Sequence, residues 1–126
     1  MPSLHETTLI VTDLDRSVPF YRDVIGLEVA ERRGSRVAFE TGECTFVLEE
    51  EFDEKTFEAY NLPKPTGHRA EGVVTAFHVV DLDAIYERAN EHDMTILTEP
   101  REAHWGERLF LVEDPDGYVI DVVTPL

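Results

Sequence analysis

An α+β fold built from two successive βαβββ units is what this 126-residue sequence predicts, and three observations lead there. Val11-Thr12-Asp13-Leu14-Asp15 returns later as Val79-Val80-Asp81-Leu82-Asp83. Each copy follows a run of alternating apolar residues, the strand period, and opens a stretch with apolar residues every third or fourth position, the helix period. Three further short alternating runs follow each helix pattern. A repeat flanked by the same elements on both sides sets the architecture of the whole chain.

In the first unit, residues 4–11 form a strand with Thr7, Leu9 and Val11 on one face and Glu6, Thr8 and Ile10 on the other. Leu9 and Val11 suit the face under the following helix. Glu6 and Thr8 then look the other way, an unusual place for a carboxylate unless that face is wet. Phe20, Tyr21, Val24 and Ile25 form the apolar stripe of the helix. Pro19 fits only a first turn, so Asp15 or Ser17 is expected to cap the start, and Gly26 ends the helix. Strands at 27–33, 36–40 and 44–49 complete the unit, with Thr45, Val47 and Glu49 sharing one face of the last.

Residues 51–71 read as a linker with one helical turn at 54–60, although aromatics in so long a connection also suit a cavity wall. The chain is thus one domain, 1–126, with a first module of about 1–50 and a second of about 72–126. In the second, Val74, Ala76 and His78 match Glu6, Thr8 and Ile10. The helix spans 83–92, with Leu82, Ile85, Tyr86 and Ala89 as its stripe. Strands follow at 95–98, 108–112 and 118–123, the last two joined by Asp114-Pro115-Asp116-Gly117, a β-turn sequence. Val119, Asp121 and Val123 match Thr45, Val47 and Glu49.

The formal charge is −16, and Lys55 and Lys64 are the only lysines. Nucleic acid and anionic membrane both need a basic patch, so neither is an expected partner. The acidity has two readings, a halophilic-type solubilising surface or a cavity for a cationic ligand. The carboxylates are scattered along the whole chain, which favours the surface. One cysteine, Cys44, excludes an internal disulfide and fits a reducing compartment, where it serves as a small half-buried strand residue. Without a long apolar run or a signal pattern, a cytoplasmic protein is expected.

Two βαβββ units in this order, with Asp-Leu-Asp-Arg-Ser at 13–17, Phe-Tyr-Arg-Asp-Val-Ile-Gly-Leu-Glu-Val at 20–29 and Val-Glu-Asp-Pro-Asp-Gly-Tyr at 112–118, resemble the vicinal oxygen chelate superfamily. That group includes glyoxalase I, extradiol dioxygenases and bleomycin-resistance proteins. The resemblance implies a cupped mixed sheet with helices outside, a small-molecule cavity within the cup, and a homodimer. It also implies a divalent ion, held in the metal-dependent members by side chains on the first and last strands of each module. Those positions fall here on Glu6, Val47, Val74 and Asp121. Valine has no donor atom, so a metal site of the family type is broken and no cofactor is favoured. An altered set of Glu6, Glu49, His78 and Asp121 is the metal-binding alternative.

The expected ligand-binding cup therefore comprises Glu6, Thr8, Glu49, His78, Trp105, Arg108 and Asp121. Glu6 and Glu49 also suit solvated strand ends, and Trp105 also suits edge packing. Asp121, between Ile120 and Val122, needs a partner if buried, and Arg108 and His78 are the candidates. The favoured function is metal-independent small-molecule binding of resistance type. A glyoxalase-type lyase, isomerase or dioxygenase with altered ligands is the enzymatic alternative, and a stress or interaction protein without a small-molecule site is a third.

Overall fold

The computed structural model describes residues 2–67, 69 and 71–126, and the sequence position His68 lies outside them. Two four-stranded mixed sheets carry the fold. In the first module β1 (Glu6–Val11), β2 (Val29–Arg33), β3 (Arg36–Phe39) and β4 (Thr45–Glu50) assemble in the order β1-β4-β3-β2. In the second, β5 (Val74–His78), β6 (Ile96–Ala103), β7 (Glu107–Glu113) and β8 (Val119–Pro125) repeat it as β5-β8-β7-β6. The first and last strands of each module run parallel, and the other neighbours antiparallel. This is the α+β, twice-βαβββ architecture that the repeat predicts.

The helices correct one detail of the sequence reading. α1 (Leu14–Pro19) starts earlier than expected, and Asp13 caps it by accepting from the Asp15 N–H. In the second module Asp81 does the same for α3 (Leu82–Glu91), accepting from the Ala84 N–H at 3.1 Å. The first aspartate of each repeated stretch is therefore the cap. Pro19 consequently falls beyond the first turn. It has no N–H to return to Asp15, and the helix widens there into a π-helical segment, Phe20–Ile25. Gly26 closes it at φ 95°, a left-handed conformation suited to glycine. A short helix, α2 (Glu54–Ala59), lies in the connection between modules.

β6 is longer than predicted and runs through Pro100. It is an edge strand with register shifts between Ile96 and Thr98 and between Thr98 and Arg101. Proline is tolerated where the ladder needs no donor.

Both modules pour their helix-facing residues into one core. Leu9, Val11, Val37, Phe39, Phe46 and Leu48 meet Phe110, Val112, Ile120 and Val122 through the helices between them. Tyr21 is fully buried at the centre, its ring 5.0 Å from Phe46 and 6.4 Å from Phe77. Its hydroxyl donates to Asp114 Oδ2 at 2.7 Å. The Asp114–Gly117 turn thus docks on the first module, where Asp116 also accepts from the Thr12 hydroxyl at 2.6 Å. Tyr118 donates to the Ile10 carbonyl at 2.8 Å, and Arg88 to the Val24 carbonyl at 3.0 Å. The linker is tied back too, by Arg69 to Glu51 and to the Ile10 carbonyl.

Two outcomes follow from this packing. Phe77 wedges against Phe46 at 5.2 Å, whereas Val74 is 61% exposed. Phe77→Ala should cost about 3 kcal/mol and Val74→Ala less than about 0.5 kcal/mol, as read from urea unfolding. The second outcome concerns Asp114. Burial raises its carboxyl above the ordinary 3.8, against the lowering hydrogen bonds from Tyr21, Tyr118 and Asp116. A raised folded value means that its contribution to stability is full below 3.8 and is lost as pH rises through the folded value. Tyr21→Phe removes one lowering bond and extends that loss upward in pH. The variant should lose about 1–3 kcal/mol near neutrality and less near pH 4. Urea midpoints at the two pH values check this, and equal losses would contradict it.

Candidate functional site

The strand registers divide the polar candidates between two faces, each turned away from the shared core. On the first sheet Glu6 lies opposite Thr45, Thr8 opposite Val47, and Arg36 opposite Glu49. On the second, Val74 lies opposite Val119, Ala76 opposite Asp121, and Leu109 opposite Val123. Alternation thus puts Glu6, Thr8, Glu49, His78 and Asp121 on the sides expected from the sequence, and Arg108 on the other. The two faces do not join into one sheet within the chain, since β1 and β5 do not pair and the sheets stay separate. Packing the helix faces into one core leaves each outer face as a half-cup.

On the first half-cup, Glu6 is saturated. Its Oε1 accepts from Arg36 Nη2 at 2.8 Å, and its Oε2 from Arg36 Nη1 at 3.2 Å and the Thr8 hydroxyl at 3.0 Å. The Arg36 bond, then the Thr8 bond, holds this carboxyl below the usual carboxylate range. Arg36 starts opposite Glu49 and ends at Glu6, so it crosses β4 at Val47, which is fully buried. Glu49 is raised by burial, only partly offset by the Arg36 charge, and its Oε2 is buried without a partner among the described residues.

On the second half-cup, Glu107 accepts from the Trp105 indole N–H at 2.8 Å and lies 3.3 Å from His78 Nε2. Asp121 is beside them. Burial, then the Glu107 charge, raises its carboxyl, and the His78 charge opposes that shift. Its buried Oδ1 has no partner among the described residues. The expected partner Arg108 is on the opposite face of β7, on the same side as the buried Phe110, where it pairs with Asp83 at 2.9 Å. Arg108 is therefore not a cup residue. Alternation of its own strand decides this, because Glu107 and Leu109 take the outer face.

Sequence reasoning missed Arg36 and Glu107. Applying the same alternation to β3 and β7 finds both, since each lies across from an outward residue of the strand it pairs with. Of the remaining histidines, His92 caps α3, and His104 packs edge-on to Trp105 at 4.8 Å. A groove of about 460 Å³ lies where the modules adjoin, lined by Thr7, Thr45, Phe46, Thr75, Phe77 and His78 among others.

The matching family model is the Glyoxalase/Bleomycin resistance protein/Dioxygenase superfamily, over residues 3–122. The chain belongs to this superfamily. It is similar to the uncharacterized protein YraH of Bacillus subtilis, 25% identical and covering 98% of each chain. It is also similar to a probable lactoylglutathione lyase of Synechocystis, 27% identical over 95% of this chain and 93% of that one. Among solved structures, a protein of unknown function from Agrobacterium tumefaciens is 30% identical with a TM-score of 0.78, over 100% of this chain and 95% of that chain.

The divalent ion implied by the resemblance does not fit the residues present. Two of the four positions are Val47 and Val74, and the carboxylate of Glu6 is already committed to Arg36 and Thr8. Among the described residues of one chain, no three His, Cys, Asp or Glu side chains gather at metal-binding distances. No helix among them is long and apolar enough to cross a membrane.

Proposed function

We propose that this chain is a metal-independent small-molecule binder of the resistance type, working as a homodimer in which the half-cup of one copy is completed by the other half of a second. The observation that carries this reading is the state of Glu6. It is the one liganding side chain at the family's first-module positions, and an arginine neutralises it. Support for the dimer comes from the separate sheets, whose β1 and β5 edges are unpaired, and from Leu4, Val73 and Val74 exposed beside those edges. In such an assembly Trp105, 61% exposed, supplies an aromatic face to the ligand, and Glu107, His78 and Asp121 supply polar contacts. Thr8 and Glu49 contribute from the first half-cup.

Protein purified without chelator should carry well under one divalent ion per chain, and EDTA should leave its thermal midpoint unchanged, because nothing bound only to the folded state is removed. Its mass in solution should be twice the 14.4 kDa of the chain. Stoichiometric metal, or a monomer at all concentrations, would overturn the reading. The similarity to the probable lactoylglutathione lyase favours lyase activity as the second reading. A metal-dependent gain of that activity would select it.

The acidic surface we read as salt adaptation. Carboxylates at net charge −16 repel one another, and salt screens them. The unfolding midpoint should climb as salt rises from low to molar levels. A flat or falling midpoint would instead tie the acidity to a cationic ligand.

A further inference from the structure

The first half-cup does more than lack a ligand at Val47. Its Glu6 could still serve a metal, yet both oxygens are engaged by one guanidinium, at 2.8 and 3.2 Å. Arg36 reaches Glu6 from across β4, so its positive charge sits against the side chain at the position where the family's metal-dependent members place their first-strand ligand. The second module provides an internal comparison. Its register sets Val74 where the first has Glu6, Leu109 where it has Arg36, and Asp121 where it has Val47. The arginine is found in the half with the first-strand carboxylate and is absent from the half without one.

We propose that Arg36 is a fixed internal cation standing in for the divalent ion in this half-cup, and that it keeps Glu6 from ligating metal. The inference rests on the metal-independent reading above and names the residue responsible. Two physical effects act together. The fork satisfies both carboxylate oxygens, so a metal must first break charge-assisted hydrogen bonds. The guanidinium also cannot deprotonate, so its charge repels a divalent ion at every working pH. Further N–H groups of Arg36 remain for a ligand, and its side chain is 41% exposed. Because Glu6 balances its charge, the pair suits an uncharged carbonyl or hydroxyl oxygen over an anion.

The test compares divalent-ion binding by the full chain as wild type, Arg36→Met and Arg36→Met/Glu6→Gln, using Mn²⁺, Ni²⁺ and Zn²⁺ with calorimetry and thermal shift. Methionine keeps an apolar stem over Val47 while removing the charge. Arg36→Gln carries the same comparison should the methionine variant not fold. A neutral residue at 36 should tighten binding on the order of tenfold or more and let the ion raise the thermal midpoint, and Glu6→Gln in the same chain should abolish the gain. Folded neutral variants binding no tighter than a metal-free wild type would overturn the role of Arg36 alone, as would a gain that survives loss of Glu6. Stoichiometric metal in the wild type is a different failure, which overturns the metal-independent reading and this inference with it.

Discussion

The hydrogen bond from Tyr21 to Asp114 is the constraint on which the arrangement of the two halves depends. It joins the helical segment of the first module to the β7–β8 turn of the second, and it is buried. A buried carboxylate without partners is costly. Asp114 offsets part of that cost by accepting from Tyr21 on one oxygen and from the Asp116 and Tyr118 N–H groups on the other. The turn and the helix therefore hold each other in place. Moving the modules apart would strand the tyrosine hydroxyl and the aspartate at once. The apolar core around them supplies the attraction, and this polar pair supplies the register.

That register has a functional consequence. Because the helix-facing sides of both sheets share one core, the sides carrying Glu6 and Asp121 cannot meet within the chain. Among the described residues each face has a buried carboxylate oxygen without a partner, Glu49 Oε2 on the first and Asp121 Oδ1 on the second. Burial raises both groups. Buried polar atoms usually have a partner, so each marks the point on its face where none is found among the described residues.

The repeated strand–helix corners made the architecture legible in sequence, because hydrophobic period and turn chemistry agree at every element. The facing of Glu6, His78 and Asp121 was legible for the same reason, since a strand has only two sides. What was not legible has a physical origin in each case. Pro19 appeared to fix the start of the first helix, but a π-helical widening absorbs it, and periodicity does not distinguish the two. Arg108 looked like a partner for Asp121 because it lies on the neighbouring strand, yet its side chain is on the other face of the sheet. The reach of Arg36 over Val47 depends on a long side chain crossing a strand, which spacing alone does not encode. How the two modules pack was also hidden, because a repeat specifies each unit and leaves their mutual orientation to contacts such as Tyr21 with Asp114.

The two halves solve the same position in opposite ways. In the first, the first-strand site is charged and the last-strand site apolar, Glu6 beside Val47. In the second the assignment is reversed, Val74 beside Asp121. The cross-strand neighbour follows suit, Arg36 where the carboxylate needs a counter-charge and Leu109 where the valine needs none. On the first face Glu6 and Arg36 thus form an ion pair within the chain. The second keeps an acidic string of Asp121 and Glu107 with His78 and Trp105. The charged family position on the first face is therefore paired within the chain, Glu6 with Arg36, whereas Asp121 Oδ1 on the second has no hydrogen-bond partner among the described residues.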